Sequence, residues 1–190
     1  MSRNRRRRRG RGQNLIEFAL VLLPLMVLLL GIIDFSFLIF AQSVLTDSTR
    51  QGARFASTFS STYGGSSCAG SQAACIKRVV QDNSFNFLAG SNSSLITVNY
   101  YTTNNLSSPV MTCPGGTCGA ATGLPQTLSN GKVVNFANQS GNVVEVTVNN
   151  LPWLWLVPVL GFSTTGRTMS ASTADVLGGL PAGSLQPPNP

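Results

Sequence analysis

The sequence predicts an α+β protein, in which a long N-terminal transmembrane helix precedes a small exported domain with one helix and an antiparallel β-sheet of about three to four strands. Three observations predict this fold class. An apolar run covers residues 15–41. Charged residues at helical spacing indicate that the helix continues to about residue 60, and several later segments alternate apolar with polar side chains. The chain has 190 residues, enough for one ordinary domain beside such an anchor.

The apolar run of 27 residues at positions 15–41 is long enough to cross a membrane. As a helix it would extend about 40 Å, more than the roughly 30 Å of a bilayer's hydrocarbon core. It is too long for a cleaved secretory signal, and bulky Ile39 stands where a signal peptidase site ending at Ala41 needs a small residue. The run therefore predicts a membrane anchor at about residues 15–41.

Basic charge is concentrated in a leader, residues 1–12, which carries seven of the 13 Lys and Arg residues and no acid. The remaining chain has as many acidic as basic residues and no basic stripe with interleaved aromatics, so nucleic acid is not an expected partner. By the positive-inside bias the N-terminus stays in the cytoplasm and the chain beyond residue 41 is exported. The predicted location is the cytoplasmic membrane, with a single span and the later domain in the periplasm or at the cell surface. The pilus is the alternative location.

The helix is expected to continue beyond the membrane, over roughly residues 14–60. Asp47, Arg50 and Arg54 follow one another at spacings of three and four, which places them near one helical face. A Ser/Gly stretch at residues 60–67 then ends the helix. Residues 13–62 are therefore predicted to form the long-helix segment.

The exported domain is predicted at residues 63–177, with a helix at about 74–88. Residues 103–131 carry mostly turn chemistry, and the Pro/Gly-rich tail, 178–190, is predicted to be disordered. Segments rich in β-branched and aromatic residues predict the strands. They are residues 94–102, 142–148 and, less clearly patterned, 163–176.

Residues 151–162 (LPWLWLVPVLGF) are apolar but too short, and too broken by proline, to span a bilayer. We favour a buried connection between strands. The alternative is an exposed patch around Trp153 and Trp155 that rests on the membrane or docks a partner.

The four cysteines form two close pairs in sequence, as expected for disulfides in an exported domain. Of the three possible pairings, proximity favours Cys68–Cys75 and Cys113–Cys118. A four-thiolate zinc site is the alternative, but six and four residues separate the paired cysteines where zinc sites usually have two.

The composition argues against an enzyme. The chain contains no histidine, and its acids outside the apolar run are scattered singly. General acid–base catalysis, histidine-based triads and most metal sites need residues that are lacking here. No phosphate-cradling loop or dinucleotide fingerprint is present, so no cofactor and no metal are expected.

Four motifs in order resemble a known family. Residues 12–18 (GQNLIEF) resemble the class III signal of type IV pilin-like proteins. Residues 17–24 (EFALVLLP), 31–34 (GIID) and 51–54 (QGAR) extend the resemblance to the TadE-like group of the tight-adherence (Tad) pilus machinery. The resemblance covers about residues 12–56.

The resemblance implies processing and assembly roles. A prepilin peptidase would cut after Gly12 on the cytoplasmic face, making Gln13 the new N-terminus. Glu17, followed by Phe18 in the assembly motif, would then meet the freed α-amine of a neighbouring subunit. For Asp34, a place at the outer membrane interface is favoured over pairing with another subunit or an assembly protein.

The sequence thus predicts a TadE-like minor pilin (pseudopilin) with a structural and assembly role. Its implied partners are the prepilin peptidase, other pilin or pseudopilin subunits, the Tad inner-membrane assembly proteins and the membrane. The alternative is an uncleaved, single-pass envelope protein whose exported domain binds a ligand or partner. An exported enzyme is the least favoured class.

Overall fold

The computed structural model describes residues 9–68, 71–127, 131, 133–134, 136–153 and 167–178, with side chains from residue 15 onward. It confirms the α+β class: a long apolar helix is followed by a small domain of one further helix and antiparallel sheets. The described residues fall into two compact units. Residues up to Ile39 belong to the first, and residues 40–153 and 167–178 belong to the second.

Helix α1 runs without interruption from Arg9 to Ala56, 48 residues, and continues through Pro24. It begins earlier and ends earlier than the sequence predicted. Side chains of residues 15–40 are exposed, apart from Val27, Asp34 and Leu38, whereas a buried stripe begins at Ala41. Within the described residues, α1 is long and apolar enough to cross a membrane.

The buried stripe of α1 consists mainly of small side chains. Ala41, Gly52, Ala53 and Ala56 are buried, together with Val44, Leu45, Ser48 and Thr49. Small residues let other elements approach the helix axis closely. A Cβ atom added at Gly52 would lie 2.5 Å from Cγ2 of Val80 and 3.5 Å from Cγ1 of Val146. Glycine at position 52 is therefore a steric requirement of this packing.

Helix α2 extends from Gln72 to Asp82, with the Ser71 hydroxyl accepting a hydrogen bond from the Ala74 amide as its N-cap. The predicted helix at 74–88 was wrong at its C-terminal end. The backbone leaves the helix at Asn83 and turns through positive φ at Phe85 and Asn86. Apolar residues beyond position 82 belong to this turn, so their spacing was not helical.

A four-stranded antiparallel sheet has the order β4-β3-β7-β8. Its strands are β3 (Ile96–Tyr101), β4 (Met111–Pro114), β7 (Val143–Trp153) and β8 (Arg167–Val176). Three of them lie where strands were predicted. Two-stranded hairpins pair β1 (Thr62–Tyr63) with β2 (Ser66–Ser67), and β5 (Gln126–Thr127) with β6 (Val133–Val134).

Two expectations about the sheet were incomplete. Residues 103–131 were predicted to be mostly turns, yet they contain β4 and the two-residue strand β5. The alternation of β4 covers only four residues and is interrupted by turns on both sides. Strand β7 also continues beyond Val148 through a bulge at Asn149 and Asn150, so residues 151–153 are strand and not connection. The rest of the apolar segment and the tail after residue 178 lie outside the described residues.

One face of the sheet supplies the core of the domain. Alternate side chains of β3 and β7 are fully buried, as expected for strands with one face toward a core. They are Ile96, Val98, Tyr100, Val144, Val146 and Val148. The short distances from Gly52 to Val80 and Val146 show that this face packs toward α1 and α2.

A buried polar group, Gln72, connects three elements. Its Nε2 donates to the Ala56 carbonyl at 2.7 Å, which satisfies one of the last carbonyls of α1. Its Oε1 accepts from Asn138 Nδ2 at 3.1 Å and, more weakly, from the Tyr100 hydroxyl at 3.5 Å. Because unpaired buried polar groups are costly, this glutamine fixes where α1 ends relative to α2 and β3.

Replacing Gly52 with alanine should destabilise the domain. The added methyl group must displace Val80, and overpacking of this kind costs about 1–3 kcal/mol, offset by up to about 1 kcal/mol of gained helix propensity. Gly31→Ala is the matched control, since a Cβ there meets nothing within 4 Å. Chemical unfolding of the full chain in detergent, followed by near-ultraviolet circular dichroism, measures both. Equal stability of the two variants would contradict the close contact.

The domain should lose stability in alkali. Burial raises the pKa of Tyr100 well above its usual value near 10. Burial, and then the hydrogen bond to Glu145 and repulsion by its carboxylate, raise the pKa of Tyr101 to about 12. The folded state thus keeps protons that the unfolded chain releases, so this stabilisation is complete below about pH 10 and declines as pH rises toward 12.

Unfolding free energies measured between pH 9 and 12 test this expectation, with a limiting slope of about 1.4 kcal/mol per pH unit for the proton of the buried Tyr100. The half-exposed Tyr101 should contribute less, because solvent screens its interaction with Glu145. Tyr100→Phe should remove the larger part of the slope, and Tyr101→Phe a smaller part. A double variant with an unchanged slope would show that other groups are responsible.

Candidate functional site

The predicted processing residues, Gly12 and Gln13, lie in the first turns of α1. The glycine is therefore in helical backbone, where its conformational freedom makes the helix weaker by about 1 kcal/mol relative to alanine. Gly10 lies two residues before it in the same turns. Two glycines in the first turns therefore weaken this end of α1.

Glu17 and Phe18 lie on the exposed surface of α1, and Phe18 is 63% exposed. The following side chains to Met26 are exposed too, and all are apolar or proline. No hydrogen bond or ion pair of Glu17 is found among the described side chains. A carboxylate in such surroundings is costly in hydrocarbon unless a cation joins it.

Asp34 differs from Glu17 in its surroundings. It is only 4% exposed, although its helix neighbours Ile33 and Phe35 are exposed. Seventeen residues of helix put the two acids about 26 Å apart along the axis. The structure therefore does not join them into one site, and the role of Asp34 remains a prediction.

The motif at residues 51–54 has a packing function that the sequence analysis did not identify. Gly52 and Ala53 are buried where α1 meets α2 and the sheet, whereas Arg54 points to solvent. The one sequence signal for this packing contact is the pair of adjacent small residues, Gly52 and Ala53, in a predicted helix. The motifs identified in the sequence therefore differ in their surroundings. The motif around Glu17 is exposed, whereas the motif around Gly52 is buried.

The cysteines are joined as Cys68–Cys75 and Cys113–Cys118, with Cα–Cα distances of 5.0 and 3.9 Å. These are the pairings that proximity favours, and no cysteine is free. The first disulfide ties the β1–β2 hairpin to the beginning of α2. The second closes the turn after β4.

An open groove of about 940 Å³ lies beside α2, with a side chain from each disulfide in its wall. Lys77, Arg78 and Asp82 are its charged residues. Gly116 brings the turn after β4 against α2, since a Cβ there would lie 3.0 Å from Cδ of Lys77. Within the described residues no group of three or more His, Cys, Asp or Glu side chains could hold a metal ion.

Comparisons with known proteins identify one segment. No curated protein and no solved structure matches the chain. A family model described as TadE-like protein matches residues 12–54, which begin at Gly12 and end with the motif around Gly52. The match confirms the resemblance predicted from the motifs. The matched residues all lie within α1, so the similarity to this family concerns the long helix.

Proposed function

We propose that the chain is a TadE-like minor pilin, or pseudopilin, of a tight-adherence pilus assembly system. One observation carries the proposal: the family match coincides with an exposed, membrane-length helix that bears a lone carboxylate near its start. A helix of this kind has two possible surroundings, lipid before assembly and other helices after it. Its role is structural, with other pilin subunits and inner-membrane assembly proteins as partners.

The arginine leader orients the precursor. Seven arginines before residue 13 keep the N-terminus in the cytoplasm, which places the domain after Ala41 on the exported side. Export also supplies the oxidising compartment in which two disulfides form and persist. Charge and cysteine chemistry therefore favour the same orientation.

Processing after Gly12 would change the electrostatics of the helix. Cleavage removes all seven leader arginines and creates a free α-amine on Gln13. The weak helical turns around Gly10 and Gly12 allow a peptidase to bind this region in extended form. The processed subunit is no longer held to the cytoplasmic face by its basic leader.

Glu17 would then acquire its cation. The α-amine of a neighbouring subunit can pair with this carboxylate, and an ion pair is much stronger in a low-dielectric environment than in water. Since an unpaired charge there is costly, the pair favours one longitudinal register between adjacent helices. Phe18 and the apolar side chains beyond it supply the surrounding packing surface.

An uncleaved membrane-anchored protein that binds a ligand is the second candidate, and the groove beside α2 is the observation that favours it. In that case Lys77 and Arg78 would contact the ligand. Both candidates are non-enzymatic. They differ in whether the leader is retained, so one measurement separates them.

Substituting Gly12 with leucine should block processing. The bulky side chain occupies the position before the scissile bond, where the peptidase requires glycine in the proposed site. Intact-mass analysis of the membrane fraction should then detect the full chain, whereas the native protein begins at Gln13. Gly10→Leu is the control and should be processed normally. A native protein that keeps residues 1–12 would contradict the minor-pilin proposal.

Glu17→Gln should separate processing from assembly. The amide has nearly the same shape but cannot form an ion pair with an α-amine, so the variant should be cleaved yet associate poorly. Co-purification with the other pilin subunits should fall by about tenfold or more, which corresponds to about 1.4 kcal/mol. Asp47→Asn, an exposed acid in the domain part of α1, is the control. Equal recovery of both variants would remove Glu17 from the assembly contact.

A further inference from the structure

Phe85 is unusual in both its exposure and its backbone. Its side chain is 74% exposed, the highest fraction among the exposed large apolar residues of the described chain. Its φ is +47°, a left-handed conformation that is a genuine outlier for a bulky residue, and Asn86 follows at +70°. Strain of this kind costs about 1–3 kcal/mol and is found mostly at functional sites. The turn after α2 thus holds a phenyl ring away from the core at an energetic cost.

The ring lies where α1 changes its surroundings. Phe85 contacts Phe40 edge to face, with ring centroids 6.1 Å apart. Phe40 is still exposed, and Ala41 is the first residue of the buried stripe. Phe40 is 25 residues beyond Leu15, about 38 Å along the helix. Measured from Leu15 at the inner edge of a roughly 30 Å hydrocarbon core, the outer headgroup layer ends at about 35–38 Å, so Phe40 lies at its outer edge.

Strand β8 shows which end of the sheet lies near Phe40. Gln42 Nε2 donates to the Ser170 carbonyl at 3.0 Å, and the Thr49 and Thr173 hydroxyls are 3.0 Å apart. The helix advances about 10 Å from the first of these contacts to the second, and the strand advances about the same distance between them. Strand β8 therefore runs beside α1 in the same direction, and its first residues lie toward Phe40. The beginning of β8 is therefore the end nearest Phe40.

Two more residues suited to a membrane surface occupy this end. Arg167, the first residue of β8, is exposed and pairs in register with Trp153, the half-exposed last residue of β7. Tryptophan rings concentrate at the headgroup level of membranes. The indole Nε1 of Trp153 is buried, so the exposed part of its ring offers apolar contact to lipid and no hydrogen bond. Arginine pairs with phosphate oxygens at the headgroup level. Three chain segments thus bring interfacial side chains to one end of the domain.

We propose that Phe85, Trp153 and Arg167 form a membrane-contact surface that seats the domain in the headgroup layer of the bilayer that α1 crosses. This rests on the proposed membrane-spanning role of α1. The surface adjoins Phe40, an exposed apolar residue of α1, which favours lipid as its occupant over a protein partner.

Single-tryptophan reporters in the full chain test the surface. In a background with Trp153→Phe and Trp155→Phe, Phe85→Trp places one indole in the proposed contact. The protein is reconstituted in phosphatidylethanolamine–phosphatidylglycerol vesicles that contain lipids nitroxide-labelled near the headgroup. We expect several-fold stronger quenching by the labelled lipid, and weaker quenching by aqueous iodide, than for a reporter elsewhere on the domain.

Leu106→Trp is the matched control. Leu106 is 61% exposed and follows Tyr101, at the end of the sheet opposite to Arg167. It should be quenched by iodide and not by the lipid label. Retaining native Trp153, with Trp155→Phe alone, gives a second reporter on the surface itself, which should respond as Phe85→Trp does.

Phe35→Trp, within the helix, reports on the anchor. Suppose that lipid labelled deep in the acyl chains quenches this reporter, but Phe85→Trp behaves like Leu106→Trp. The proposed membrane-contact surface is then contradicted, whereas the proposal that α1 crosses the membrane is supported. If Phe35→Trp is not quenched, both proposals fail. Protection of Phe85→Trp from iodide without lipid quenching would assign the surface to a protein contact and overturn the inference.

Discussion

The structure depends on one feature: a single continuous helix presents two different surfaces along its length. Residues 15–40 of α1 expose large apolar side chains, whereas the stripe from Ala41 onward is buried in the domain. Large residues gain most from a lipid environment, and small ones allow close packing of other elements. The change from Leu, Ile and Phe to Ala, Gly, Ser and Thr along the helix satisfies both requirements without a break in the backbone.

The domain is built onto the last turns of this helix and not merely attached after it. Gly52 permits the approach of α2 and β7, and Gln72 binds one of the last carbonyls of α1 from inside the core. Gln42 and Thr49 connect the helix to β8. Residues 41–56 of α1 therefore belong to the domain core, so a movement of this part of the helix is transmitted to the sheet directly.

Much of this could be predicted from the sequence, because long apolar runs and alternating β-branched residues are strong signals. The fold class, the membrane-length helix and three strands of the main sheet were correct. The end of α2 was not, because the turn at Phe85 depends on an unusual backbone conformation that carries no pattern of its own. The short strand β4 was missed because its alternation covers only four residues, and the packing role of Gly52 was missed because its partners, Val80 and Val146, are distant in sequence.

The pairing of β8 with α1 has a consequence for biosynthesis. The contacts at Gln42–Ser170 and Thr49–Thr173 join positions 128 and 124 residues apart. The segment of α1 around Gln42 and Thr49 leaves the ribosome long before the strand that packs against it, so this part of the helix lacks β8 until more than 120 further residues have been synthesised. During that interval the side of α1 that β8 later covers is exposed, and surfaces of this kind are recognised by chaperones and proteases.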